Sequence, residues 1–484
     1  MPSPTLSRAA FALLLPALLA TSAGTRAADP VAEWTHWGGS EGGTRYSPLT
    51  QITPANVGKL KRAWTYHIGM VEAPEFSSPT LEGTPLVAGG RMFACSGMGK
   101  VVALDPETGK ELWAYVRQPD TMGQYLLNCR GLAYHAASEG GAGVCQSRVF
   151  AGTLDAKLLA LDAATGKELW AAPMDGILAN DWGGGPRGTP TVDGDRVYAL
   201  SGTGGLHCLA FADGKVLWKA SLKALGGSVP KWGYTESVLV DGNLVLATPG
   251  GGKGTVAALD KATGKLVWQS KDLTDAAHYS SIVPAMIHGK KQYVQRTERQ
   301  VFGLSPEDGR VLWQTDFQGR TAVIPTPVVK DNFVYVTAGY GSGCKQVEIS
   351  PTNAVRVVYE NKVMRNHHGG VILVGDHVFG HDDPSGWACQ NFKTGEEVWK
   401  VKNLGKGAIA YADGRLYCLE ENTGVVVLIE ASTQGWKEHG RFRIEPQTKI
   451  RSERGKVWTH PVISNGRLFL RDQDIIVCYD VKAS

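Results

Sequence analysis

Val101-Val-Ala-Leu-Asp-Pro-Glu-Thr-Gly-Lys-Glu-Leu-Trp113 returns as Leu158-Leu-Ala-Leu-Asp-Ala-Ala-Thr-Gly-Lys-Glu-Leu-Trp170, and again as Val256-Ala-Ala-Leu-Asp-Lys-Ala-Thr-Gly-Lys-Leu-Val-Trp268. Self-similarity at a spacing of roughly 40–50 residues belongs to propellers and solenoids, and it decides the fold before any local reading. Each copy reads as an apolar strand ending in Asp, a Thr-Gly or Asp-Gly turn, and a short strand ending in Trp. Glycine supplies the positive φ that a tight hairpin turn needs. Weaker copies keep the Gly and end at Trp218, Trp313 and Trp399; degenerate ones end at Tyr359 and Trp436.

Upstream of each motif lies a second hairpin, as in Thr191-Val-Asp-Gly-Asp-Arg-Val-Tyr198, Val238-Leu-Val-Asp-Gly-Asn-Leu-Val245 and Ile409-Ala-Tyr-Ala-Asp-Gly-Arg-Leu-Tyr417. Four short strands per unit make one propeller blade. The fold class is therefore all-β, a closed propeller. Eight strand sets with an outer Trp or Tyr follow residue 100, and a ninth, near residues 461–479, lacks its fourth strand. Leu60-Lys-Arg-Ala-Trp-Thr-Tyr66 fits as the missing strand, so pairing of the N- and C-terminal strands is expected to close the ring and remove its exposed edges. The count stays open at eight or nine. A β-solenoid is the alternative, but its rungs are shorter and it needs no such pairing. The outer Trp reads as packing between neighbouring blades rather than stacking on a cofactor.

The 484 residues would suggest several domains by length, but ring-closed β folds run long as one domain. The expected division is a signal peptide at residues 1–28, a lead-in at 29–59 and one propeller at 60–484. The signal reading rests on Arg8, the apolar run at 9–20 and the small residues up to Ala27-Ala28. That run is too short to span a membrane, and no other candidate span exists. No Cys precedes Cys95, so the usual lipoprotein attachment site is absent and a periplasmic or secreted protein is expected. Net charge is +4, and without Arg8 and Arg26 the balance is 48 basic against 46 acidic residues. Such a balance points away from nucleic acid and from polybasic membrane binding.

Eight Cys are spread along the chain with no Cys-x-x-Cys, which argues against zinc ribbons and covalent haem. Cys95 and Cys418 fall in second strands, and Cys208, Cys389 and Cys478 in third strands, as small core residues. Cys129 and Cys145 flank a loop and are candidates to pair.

Two features carry a family resemblance. Trp37-Gly-Gly-Ser-Glu-Gly-Gly-Thr-Arg-Tyr-Ser-Pro-Leu-Thr-Gln-Ile-Thr-Pro-Ala-Asn-Val-Gly-Lys-Leu-Lys-Arg-Ala-Trp64 resembles the lead-in of the pyrroloquinoline-quinone (PQQ) dehydrogenases, quinoproteins that oxidise alcohols and sugars. The Ala-x-Asp-x-x-Thr-Gly-Lys-x-x-Trp repeat resembles that family's blade motif, which is shared with the scaffold propeller of outer-membrane protein assembly. By resemblance, Glu82-Gly-Thr-Pro-Leu-Val87 is the stretch whose Glu lies near the quinone, Cys129-Arg-Gly131 the stretch whose Arg contacts it, and Arg187-Gly-Thr-Pro190 the start of the next blade. Other elements depart. Asn128 stands where alcohol-oxidising members have the first of two adjacent Cys, and Leu126 where sugar-oxidising members have His. Residues 202–206 lack the family's calcium Glu, and Thr248-Pro-Gly-Gly251 lacks its Asn. The family's catalytic Asp aligns with His278, Asp275 being close by. PQQ is thus a candidate cofactor, while no calcium site with hard oxygen ligands can be placed.

Residues just before each innermost strand converge at one end of the channel. They are Glu82, Arg130, Arg187, Tyr234, Glu236, His278, His368, Lys406 and His460, with Trp232 and His367 alongside. This mostly cationic set suits a flat small anion, since Arg forks bind carboxylates and aromatics stack on planar rings. Glu82, Arg130, Arg187, Trp232, His368, Lys406 and His460 are the candidate cofactor contacts. His278, then Glu236, are the candidate bases. Arginines at strand starts also hold neighbouring carbonyls, and buried histidines are often structural; no metal-ligand spacing occurs within a strand. Two function classes follow. One is a quinone-dependent oxidoreductase acting on a small alcohol or sugar. The other is a catalytically silent exported propeller that binds a small ligand or protein partners.

Overall fold

In the three clearest repeats the Asp at the head of the turn bends the chain by local bonding. Asp105 Oδ1 accepts the backbone N–H of Glu107 and Thr108, both at 2.9 Å, and Asp260 Oδ1 accepts the N–H and Oγ–H of Thr263. An acidic side chain bonded to the backbone two and three residues on makes the turn locally self-sufficient. The computed structural model describes residue 1 and residues 33–40, 43–49, 60–69, 82–97, 99–117, 128–136, 147–180, 184–451 and 455–481. The expected leader lies outside these, apart from Met1. Among the described residues there is no helix, and so none long and apolar enough to cross a membrane. Ala32–Ser484 forms one unit.

Among the described residues the strands form nine sheets, each with an antiparallel four-stranded core, so the open count resolves to nine blades. Seven are built from four consecutive strands alone, and an eighth adds the lead-in strand Tyr46–Ser47 to its four. The ninth takes Val462–Ser464, Arg467–Asp472 and Ile475–Asp480 from the C-terminal end and Lys61–His67 from the N-terminal end. Lys61 pairs with Asp480 and His67 with Ile475, which is the expected closure.

The outer Trp holds each blade to the next. The indole N–H of Trp113 donates to Ala163 O (3.1 Å), Trp170 to Phe211 O (3.0 Å), Trp218 to Lys261 O (3.0 Å) and Trp268 to Pro306 O (3.0 Å). All four acceptors lie in the turn between the third and fourth strands of the following blade, and these indoles are buried. The turn glycine is needed twice over. Gly264 has φ +71, and a Cβ there would come within 2.5 Å of the Trp218 ring. Gly264→Ala is therefore expected to destabilise the protein by roughly 2–4 kcal/mol, from left-handed strain plus overpacking. Denaturant unfolding measures it. Two copies differ. Trp313 donates to Gln292 of its own blade (2.7 Å), and the turn beyond it carries Asn353 at φ 63 in place of Gly. Trp436 is not an outer-strand residue: the last strand of its blade is Glu438–Arg443, and Trp436 packs on Trp387 and Trp399.

The lead-in runs on the channel side of the ring. Trp34 bridges Val87 of the first blade's innermost strand, and Tyr46–Ser47 runs parallel to Tyr411–Ala412 of the eighth blade's. Those strands offer a free edge only towards the axis, so pairing with them places the lead-in along the inner wall and satisfies part of that edge. Trp34 (1% exposed) and Leu49 (7%) anchor it in the core of the closing blades.

Buried arginines stitch neighbouring second strands. Arg471 donates to the carbonyls of Gln473 (2.8 Å), Gly83 (2.9 Å) and Cys95 (2.7 Å), joining the ninth blade to the first. Arg296 reaches Thr337 O of the next blade in the same way (2.8 Å). Cys95 is disulfide-bonded to Cys129 with Cα atoms 5.9 Å apart. This corrects two expectations: Cys95 is not a free core thiol, and Cys129 does not pair with Cys145, which lies outside the described residues. The spacing had suggested the loop-flanking pair; the second strand of the first blade in fact ends beside the linker that opens the second. Cys208, Cys389, Cys418 and Cys478 are buried free thiols, as expected, and so is Cys344.

Candidate ligand site at the channel mouth

Strands alternate in direction within a blade, so the linker into each blade and its turn between second and third strands emerge on the same face. Most of the expected site residues lie in those linkers. Neighbouring loops add others the motif reading did not single out: Tyr279, Tyr340, Asp383, Glu421 and Trp458.

One group gathers over the first, second, third and fifth blades. Arg130 is ion-paired to Glu82. The Cys95–Cys129 bridge fixes the residue immediately before Arg130. Arg187 lies within electrostatic reach of Arg130, Glu82 and Tyr279; burial first, then the like charge of Arg130, lower its pKa to about 10. It remains a cation at neutral pH. Burial raises the phenol of Tyr279, which senses both arginines, Glu82 and Tyr340. Two guanidinium groups, one carboxylate and a phenol thus lie within electrostatic reach of one another.

A second group continues from Tyr340. Its ring meets His367 edge-on at 4.9 Å, and His367 meets His368 at 4.9 Å. Lys406 Nζ lies 2.8 Å from His367 Nδ1 and 2.8 Å from Asp383 Oδ2. Burial, then His368 and Lys406, push the His367 pKa down to about 3, so this imidazole is neutral. His368 Nε2 lies 3.0 Å from Glu421 Oε2, near enough to pair but off the line of a hydrogen bond. Tyr340, His367, Asp383, Pro384 and Lys406 line an open cavity of about 340 Å³. Tyr340 holds a left-handed backbone (φ 55) at its rim, a conformation that surrounding structure must impose.

Four expected residues are engaged elsewhere. The His278 imidazole lies 3.5 Å from Glu298, over the fifth blade's second turn, with its pKa lowered chiefly by burial; its neighbour Tyr279 enters the arginine group instead. Glu236 is buried, accepting the backbone N–H and the Oγ–H (2.7 Å) of Thr248, whose Oγ1 in turn accepts from Gln295. His460 is buried under the lead-in, where its Nδ1 accepts from Arg45. Trp232 packs against the Lys231 ammonium, 4.8 Å from the ring centroid.

Burial raises the Glu236 pKa from 4.5 to about 7. A folded-state pKa above the unfolded one means that the fold favours the protonated acid. Its contribution is complete below about pH 4.5 and is lost as the pH rises through about 7, a change on the order of 3 kcal/mol. Glu236→Gln, which mimics the neutral acid, is expected to flatten this limb of the stability profile when unfolding is measured at pH 5, 6, 7 and 8.

Comparison with known proteins places the ring in a family. A model described as glucose/ethanol/alcohol dehydrogenase, beta-propeller domain, matches residues 34–179. The PQQ_2 model, described as outer membrane protein assembly factor BamB, matches residues 154–401, just over half of the chain. The chain belongs to this PQQ-repeat propeller family. Among curated relatives of the PQQ-repeat propeller, the glycerol dehydrogenase large subunit of Gluconobacter thailandicus is 37% identical over 157 residues, 31% of this chain and 21% of that one. Quinoprotein glucose dehydrogenase of Escherichia coli (strain K12) is 34% identical over 170 residues, 33% of this chain and 21% of that one. The matches therefore span about a fifth of these relatives' length. Quinohemoprotein alcohol dehydrogenase from Comamonas testosteroni shares the fold at TM-score 0.59 and 17% identity, covering 94% of this chain and 81% of that one. BamB from Moraxella catarrhalis does so at TM-score 0.50 and 18% identity, covering 87% and 99%.

Proposed function

We propose that this PQQ-repeat propeller is an exported protein that binds a flat polycarboxylate at the mouth of its channel, PQQ being the candidate, and serves quinone-dependent oxidation of a small alcohol or sugar. The observation that carries the reading is the Arg130–Arg187–Tyr279 group: Arg130 is ion-paired to Glu82, and Arg187 lies within electrostatic reach of Arg130, Glu82 and Tyr279. Two guanidinium groups placed together at the channel mouth attract an anion and orient it. The donor set fits carboxylates. Calcium takes six or more oxygen ligands, and this group offers one carboxylate beside two cations. When bound, PQQ supplies the two-electron acceptor. Arg130 and Arg187 would hold its carboxylates, and Tyr340 and His367 would offer ring surfaces beside it. His278 would be the base only if its imidazole left Glu298 for the mouth, and Glu236 has both carboxylate oxygens occupied by Thr248.

That disposition of His278 and Glu236, with the family match over residues 154–401, supports a second reading: a binding or scaffold propeller without catalysis. One titration separates the two. Purified protein is titrated with PQQ, with and without Ca²⁺, and then assayed for dye-linked oxidation of ethanol, glycerol and glucose. Binding with turnover supports the first reading. Binding without turnover supports the second, and no binding at millimolar PQQ removes the quinone site.

A further inference from the structure

Arg45 enters the channel on the lead-in and is held there from three sides. Its Nε–H donates to His460 Nδ1 at 3.2 Å. Its guanidinium carbon sits 5.0 Å from the centroid of the Trp37 ring. Its Nη1 lies over the bare Cα of Gly370, where a Cβ would come within 2.3 Å. No carboxylate lies within ion-pair distance of it among the described residues, and its only side-chain hydrogen bond goes to a neutral imidazole. Its pKa falls to about 10 through burial, so it stays charged. A guanidinium withdrawn from bulk water without a counter-charge is costly, and a planar fork fixed in orientation is preorganised for a bidentate oxyanion.

We infer that Arg45 anchors an oxyanion-binding site inside the channel, built by the lead-in and separate from the Arg130–Arg187 pair, that takes the carboxylate or phosphate of a small molecule. The lead-in is then part of the binding apparatus as well as a lining for the inner wall. Trp37 and His460 fix the guanidinium plane, Gly370 makes the room, and the Nη groups remain to grip the ligand. The site does not depend on PQQ.

Inorganic phosphate and citrate are the probes, distinguishing a phosphate from a carboxylate preference. Each is titrated calorimetrically into the full chain, wild type and variants, at low ionic strength. One or both probes are expected to bind the wild type and Lys290→Met, which removes a cation from an exposed hairpin of the fifth blade, within about twofold of each other. Arg45→Met is expected to weaken binding at least tenfold, in keeping with the loss of a charge-assisted bidentate contact of about 1.5–3 kcal/mol. Gly370→Ala, which keeps the charge but fills its seat, is expected to do the same. Equal binding by wild type, Arg45→Met and Gly370→Ala overturns the inference, and so does the absence of binding by the wild type. If the variants fail to fold, the ¹H–¹⁵N resonance of Arg45 Nε in the wild type decides. A shift on adding phosphate or citrate supports the site, and an unmoved resonance overturns it. Loss of binding in Arg187→Met with Arg45→Met unaffected assigns the anion to the mouth alone and also overturns it.

Discussion

Trp64→Ala is expected to destabilise the ring by about 3–5 kcal/mol, the range for emptying a buried Trp site. Trp64 is 8% exposed, its indole N–H donates to Pro106 O at 3.1 Å, and its ring covers Gly109, where a Cβ would come within 2.5 Å. This repeats the Trp–turn joint found at other seams, at the place where the chain itself does not run on from blade to blade. The ninth blade is held by the pairing of Lys61–His67 with Ile475–Asp480, and Trp64 is that strand's grip on the first blade. Trp218→Ala removes an equivalent joint between two covalently connected blades. Hydrogen exchange separates the cases. Amides of Ile475–Asp480 should exchange faster in Trp64→Ala and keep their protection in Trp218→Ala. Equal protection in both variants would refute a special role for this seam.

The second large effect is functional. Arg187→Met is expected to weaken binding of PQQ, measured by spectral titration, by roughly 30- to 5,000-fold, the 2–5 kcal/mol typical of truncating one partner of a buried charged contact. Thermal stability should change little, because removing Arg187 relieves its repulsion with Arg130 and the cost of burying its charge. His278→Gln serves as the control, since that imidazole faces Glu298 rather than the arginines. Unchanged PQQ affinity in Arg187→Met, or an equal loss in His278→Gln, would move the site away from the Arg130–Arg187 group.

Much of the architecture was legible because each blade announces itself locally. The Asp and Gly of the turn and the Trp closing the fourth strand lie within nine residues of one another in the repeats that end at Trp113, Trp170 and Trp268, and the turn's bonds form inside that span. The N-terminal strand of the ninth blade was legible because it carries its own Trp at position 64. The site was legible only in part. Glu82, Arg130, Arg187, His368 and Lys406 sit where the position of the inner strands puts them. Tyr279, Tyr340, Asp383 and Glu421 have no motif: their linkers and turns come together only through the curvature of the ring. Adjacent positions such as His278 and Tyr279 differ in which side chain faces the mouth, and that choice depends on Glu298 and on the arginines, far away in sequence.

From its amino acids alone, this chain determined an all-β repeat, a blade plan and a closure partner, because hairpin turns and strand alternation are short-range physics. Only the tertiary structure decided that there are nine blades, that Cys95 bonds Cys129, that Glu236 and His460 are buried, and that the lead-in carries Arg45 into the channel. Those outcomes depend on which distant surfaces meet once the ring is shut, and burial and pairing across such contacts leave no periodic trace along the chain.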